Sequence, residues 1–185
     1  MENQIGCSKF VKLEFLWADV ARDGANDKLE VVYCIGKENC MEITTLQRLK
    51  AAGWEYGRKI DISAFKKRYR EIGLEMPANV EAFLEEFGSL HIENLKLFRD
   101  VNFNPLRAIG INLDAEYFGN LLDEYDINTA TYPLGKCCRN ELFLVMTITN
   151  EFYCFTNGCC VQCGVGVEDM LDCLIGECRM FKMIE

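Results

Sequence analysis

Residues 51–62 read AAGWEYGRKIDI: a tryptophan set between two glycines, then Arg-Lys, then two isoleucines separated by an aspartate. Ahead of it Thr44 or Thr45 is placed to cap a short helix carrying Leu46 and Leu49. Gly53 sits where that helix would stop, in the left-handed conformation that glycine tolerates. Trp54 falls just past this stop, positioned to fold back onto the helix. Gly57 permits a second turn, and RKIDI (58–62) has the period-two pattern of a short strand with Ile60 and Ile62 on one side. The stretch therefore reads as helix, turn, strand, and its local physics favours a structural role over a ligand-binding loop.

Working outward, Ser63 opens a helix that offers Phe65, Tyr69 and Ile72 to a core and ends at Gly73. Pro77 opens the next as its first residue, with Val80, Phe83, Leu84 and Phe87 on one face and Gly88 as its stop. SLHIENLKLF (89–98) reads as a strand. LDAEYFGNLLDEYDI (113–127) reads as a helix starting near Asp114, with Tyr117, Leu121, Leu122 and Tyr125 inward and the acids outward. YPLGKC (132–137) is a turn, LFLVMTIT (142–149) an apolar strand, Asn150-Glu151 a hairpin turn into FYCF, and GVEDMLDCLIG the last helix, closed by Gly176. Helices first, then a strand-rich half covered by a final helix, make this an α+β domain with a central, largely antiparallel sheet packed by helices. In the N-terminal part, Phe10, Leu13, Leu16 or Trp17 and Val20 fit a helical stripe, and LEVVYCI (29–35) a strand, with a hairpin across 10–36 as the alternative. The division expected is an extension over 1–43 and one domain over 44–185.

Composition narrows the function. The chain has 185 residues, half of them apolar and 26% charged, which suits one core of ordinary size. The longest apolar stretch, Leu142 to Ile148 with Thr147 inside it, is far short of the roughly 18 to 20 residues of a spanning helix, and the N-terminus lacks a basic start followed by an apolar run. A cytoplasmic protein with no membrane partner is the expectation. The eleven cysteines are an odd number, and without an export signal they read as reduced, packing thiols. The net charge of −9 opposes direct nucleic-acid binding, which needs a basic face, and favours basic partners. That charge is uneven: residues 114–126 hold five acids and no base, while KKRYR (66–70) is a short basic patch.

Signals for catalysis are weak. His91 is the only histidine, and its alternating segment places it at a core edge or on the surface. No nucleophile elbow is present, and GVGVEDM (164–170) lacks the Lys-Ser/Thr ending of a phosphate-binding loop. Cys160 and Cys163 have the spacing of a zinc knuckle, and Cys137 with Cys138 could complete a tetrahedral set. A zinc ribbon shows two clean Cys-x-x-Cys pairs, however, and here one pair is adjacent, so no catalytic group, metal or cofactor is assigned.

The order of motifs adds more. LKAAGWEYGRKIDISAFKKRYREIGLEMPANVEAFLEEFGSLHI (49–92), then YPLG, FYCF and GVGVEDMLDCLIG, resembles the third subgroup of the SUKH superfamily of bacterial immunity proteins. The specific marks are Gly53, Trp54, Gly57, Arg58, Phe87 and Gly88; Ser89 departs from the usual double glycine. The resemblance spans about 44 to 178 and implies a non-enzymatic protein that neutralises a polymorphic toxin, very often a nuclease or nucleic-acid deaminase. It makes those six residues fold-defining, with Trp54 buried against the sheet or the first helix. An acidic inhibitor suits a toxin with a basic cleft, and Asp114, Glu116, Asp123, Glu124 and Asp126, with Glu81, Glu85 and Glu86, are the expected toxin-facing residues. The rival expectation is a cytoplasmic scaffold domain, with or without a structural zinc on Cys137, Cys138, Cys160 and Cys163.

Overall fold

The computed structural model describes residues 41–184. The stripe and strand expected within 10–36 lie outside the described residues. Helix α1 (Ile43–Ala51) leads into a left-handed Gly53, with φ +93°. Glu42, in place of Thr44 or Thr45, stands at its N-cap, and Thr45 lies inside the helix, where its hydroxyl donates to the buried carboxylate of Asp172 at 2.5 Å. The Trp54 N–H returns to the Leu49 carbonyl at 2.9 Å, so the chain reverses directly after the helix. Gly57 makes the second turn, with φ +75°.

Beyond this turn the chain departs from expectation. Residues 58–62 form no strand: the Ile60 N–H donates to the Glu85 carbonyl at 2.9 Å, and this contact lays the segment along α3 (Ala78–Phe87). Helix α2 (Ser63–Glu71) buries Phe65 and Tyr69, and α3 buries Val80, Phe83, Leu84 and Phe87, as their 3.6-residue spacing predicts. Pro77 is the residue before α3, in extended conformation, one position earlier than expected. Phe83 is the aromatic hub of the core, with ring centroids 5.1 Å from Phe87, 5.3 Å from Phe103 and 5.9 Å from Phe152.

Within the described residues the sheet has seven strands in sequence order, every neighbouring pair antiparallel: β1 (His91–Ile92), β2 (Val101–Asn102), β3 (Thr131–Cys137), β4 (Leu142–Thr147), β5 (Glu151–Thr156), β6 (Cys159–Val165) and β7 (Lys182–Ile184). The α+β reading and its antiparallel sheet hold. Three local readings change. Of SLHIENLKLF only two residues are strand, and β2, unmarked by any alternation, pairs with them. YPLGKC is strand and not turn, because a register shift between Pro133 and Gly135 accommodates the proline, which has no ladder N–H to give. The Pro133 carbonyl takes the buried Tyr69 hydroxyl at 2.5 Å. LDAEYFGNLLDEYDI is broken into α5 (Ala115–Gly119) and a 3-10 turn (Asp123–Tyr125), after α4 (Pro105–Ile109).

The expected hairpin at Asn150-Glu151 is present, with Asn150 left-handed at φ +63°. The last helix is α6 (Val167–Leu171), continued by a π-turn (Asp172–Gly176) that packs against α1. Asp172 ties the two together through Thr45 and the Glu42 N–H. Arg48 adds hydrogen bonds to the Ile175 carbonyl and to Glu177.

Candidate partner-binding groove

Around the opening motif the contacts are internal. Trp54 is 6% exposed, its ring parallel to Phe87 with centroids 6.3 Å apart, and its indole N–H donates to Glu86 at 3.2 Å. It therefore packs on α3, where the expectation was the sheet or the first helix. Arg58 donates to the carbonyls of Glu86 and Gly88, so one guanidinium satisfies two acceptors that α3 leaves open at its C-terminus. Gly88 has an ordinary φ of −53°, but a methyl there would collide with the Leu84 carbonyl. The left-handed residue is the next one, Ser89, at φ +65°.

Elsewhere the acidic run builds a surface. Asp114 N-caps α5, its carboxylate accepting the Tyr117 N–H at 3.0 Å. This helix and the 3-10 turn after it are seated on the outer face of the sheet: Tyr117 of α5 lies against Phe143 at 6.1 Å between centroids, Tyr125 of the 3-10 turn edge-on to Phe155 at 6.0 Å, and the Thr131 hydroxyl donates to the Phe118 carbonyl at 2.6 Å. An open groove of about 430 Å³ runs between α5, the 3-10 turn and β5. Asp114, Glu116 and Glu124 stand on its rim, and Tyr117, Leu121 and Phe155 form its apolar part. Burial, and then the charge of Glu124, hold the Tyr117 phenol above its ordinary value, so it stays a neutral donor at pH 7. Among the described residues none of the three rim carboxylates is paired with a cation.

The other acids expected at this surface are placed differently. Asp123 and Asp126 are exposed on the same segment but do not line the groove. Glu81, Glu85 and Glu86 belong to α3 and are engaged there, with Lys66, Lys59 and the Trp54 indole respectively. His91 is exposed and lies 3.2 Å from Asp100. Asn157 and Phe155 complete the groove from β5 and the turn after it, and no charge or periodicity in the sequence marks them.

The four cysteines weighed as zinc ligands are not gathered. Cys160 pairs with Phe155, and Phe155 with Phe143, which sets all three on the groove face; Cys137 and Cys154 alternate onto the other face. Cys163 touches Cys154, 3.4 Å between sulfurs, and so shares that other face. Among the described residues no group of three or more His, Cys, Asp or Glu is arranged to hold a metal ion, and no helix is long and apolar enough to cross a membrane.

Compared with known families, residues 41–177 match the SUKH-3 immunity protein family. The chain belongs to the SUKH-3 immunity protein family. No curated protein and no solved structure matches it. The SUKH-3 match takes in the Trp54–Arg58–Gly88 contacts, the groove, and the α1 to π-turn junction, ending on Glu177 itself. Membership in an immunity family implies a toxin as partner and a role in neutralising it.

Proposed function

We propose that this SUKH-3 protein acts in the cytoplasm as a non-enzymatic immunity protein, binding a cognate toxin domain that attacks nucleic acid, by nuclease or deaminase chemistry, through the groove of α5 and β5. Family membership carries the immunity role. The rim of Asp114, Glu116 and Glu124 supports the choice of surface, because a toxin that handles nucleic acid must present a basic cleft to phosphates, and three carboxylates that pair with no cation among the described residues complement it. Their attraction acts over about 8 to 10 Å at physiological salt, so it guides encounter, while the half-buried Tyr117 ring, backed by the buried Leu121 and Phe155, offers the apolar contact that prolongs the complex. The chain itself binds no nucleic acid.

The test is capture of the tagged full chain from its own organism's lysate at low and high salt, with bound proteins identified by mass spectrometry and then expressed alone or with the chain. The expected result is one basic domain, released by salt, that stops growth alone and is silenced by co-expression. Capture of housekeeping proteins only, or of a domain whose toxicity the chain does not lift, would overturn the reading.

A further inference from the structure

Beneath the sheet, on the face away from the groove, three thiols make a continuous row that the proposed function does not use. Cys137 lies against Cys154 with sulfurs 3.3 Å apart, and Cys154 against Cys163 at 3.4 Å. Cys137, Cys154 and Cys173 are 0% exposed, and Cys163 is 3% exposed. We infer that Cys154 and Cys163 form a reversible oxidative modification site, closing to a disulfide between β5 and β6 when the chain meets a hydroperoxide.

The fold favours this pair over either bridge to Cys137. A disulfide spans at most about 7 Å between Cα atoms. Cys137 belongs to β3, with β4 lying between it and β5, and two strand spacings of about 4.8 Å put its backbone beyond that reach. Cys137 and Cys138 are chain neighbours, with Cα atoms only about 3.8 Å apart, closer than an unstrained bridge allows. Cys154 and Cys163 sit on directly paired strands. Cys154 is opposed by Val161, two residues before Cys163, and Cys163 is the extra residue of a bulge, because Tyr153 pairs with Gln162 and Phe152 with Gly164, so among the described residues no ladder partner fixes its position. The adjoining Cys154 and Cys173 thiols hold the Cys163 thiol well below its ordinary value, which favours the nucleophilic thiolate there.

The chemistry balances as two steps. The Cys163 thiolate attacks the outer oxygen of the hydroperoxide, the O–O bond breaks, and sulfenic acid and an alcohol, or water, result. The Cys154 sulfur then attacks the sulfenic sulfur; the S–S bond forms, the S–O bond breaks, and the hydroxide leaves as water with the Cys154 proton. Two thiols lose two electrons and the hydroperoxide gains them. Cysteines 159 and 160, nearer Cys154 in sequence, are the local competitors, and Cys160 is turned to the other face.

The experiment treats the fully reduced full-length protein with equimolar hydrogen peroxide, blocks the remaining thiols with an alkylating agent, and maps the cysteines by mass spectrometry after chymotryptic cleavage at Phe155, which separates Cys154 from Cys163. The expected product has these two thiols bonded and refractory to alkylation, and returns to the alkylatable form with dithiothreitol. Cys163→Ala should abolish the bridge and Cys137→Ala should leave it. A bridge between any other pair, or oxidation confined to the exposed Cys178, overturns the inference; the wild-type map decides this even if a variant fails to fold.

Discussion

Arg58 holds the carbonyl end of α3 at Glu86 and Gly88 while Trp54 stacks on Phe87 between them, so two side chains from one short reversal brace the same helix. Truncating the buried indole leaves a cavity beside Phe87 and frees Glu86, and Trp54→Ala should cost about 3 to 5 kcal/mol in urea melts. Retained stability with lost partner binding would make this a binding element instead. At Ser89 the expectation runs the other way. A serine held at φ +65° pays a conformational cost of about 1 to 2 kcal/mol that glycine avoids, partly offset by glycine's greater freedom when unfolded, so Ser89→Gly should stabilise by about 0.5 to 1 kcal/mol. A melting midpoint that does not rise would show that the serine side chain supplies a compensating contact. The double glycine from which this chain departs is thus explained by two different needs, space at the first position and dihedral at the second.

At the scale of elements, among the described residues the short β1–β2 pair joins the sheet only through β3, and the fit there depends on Gly135. A methyl at this position would strike the Asn102 carbonyl, so Gly135→Ala must push β2 off β3. A loss of about 1 to 3 kcal/mol is expected, with amide-exchange protection falling first at Val101 and Asn102. The junction of α1 with the π-turn is electrostatic. Burial opposes the Glu177 charge, but the Leu97 N–H, at 2.6 Å, and Arg48 outweigh it and leave the carboxyl below its ordinary value. A lowered folded value means that the unfolded chain binds the proton more readily, so this contribution is complete above the ordinary value of 4.5 and is lost as pH falls through the lower folded value. Glu177→Gln should remove that acid-side slope, measured as the melting midpoint between pH 6 and pH 3; an unchanged slope would assign it to other carboxylates.

For the whole molecule, charge and fold separate cleanly at the groove. Asn caps a helix as well as Asp does, so Asp114→Asn keeps α5 while removing its charge, and Glu116→Gln and Glu124→Gln complete the neutralisation. The triple variant should melt as the parent does yet associate with the toxin domain about 10-fold or more slowly at low salt, with the difference shrinking as salt rises. Equal association rates in stopped flow would move the interface elsewhere. Half of this surface was legible: the run of five acids between 114 and 126 is visible to any reader of the sequence. Which three of them share a rim with Phe155 and Asn157 was not, since strand β5 reaches them only through the folded sheet. The acids of α3 illustrate the opposite case, equally acidic in sequence but already engaged by Lys66, Lys59 and Trp54.

Short-range physics in the sequence determined the elements whose stability is local. The apolar stripes of α2 and α3, the left-handed stops at Gly53 and Gly73, the Asn150 hairpin and the antiparallel α+β plan all stem from periodicity and turn chemistry within about ten residues. The tertiary structure alone decided that RKIDI lies along α3, that YPLGKC enters the sheet and that Cys154 meets Cys163. Each depends on a partner the local pattern does not contain: Glu85 for Ile60, Tyr69 for Pro133 across 64 residues, and a bulge opposite Tyr153. Backbone groups and thiols go where distant partners satisfy them, and that pairing is settled only when the chain closes on itself.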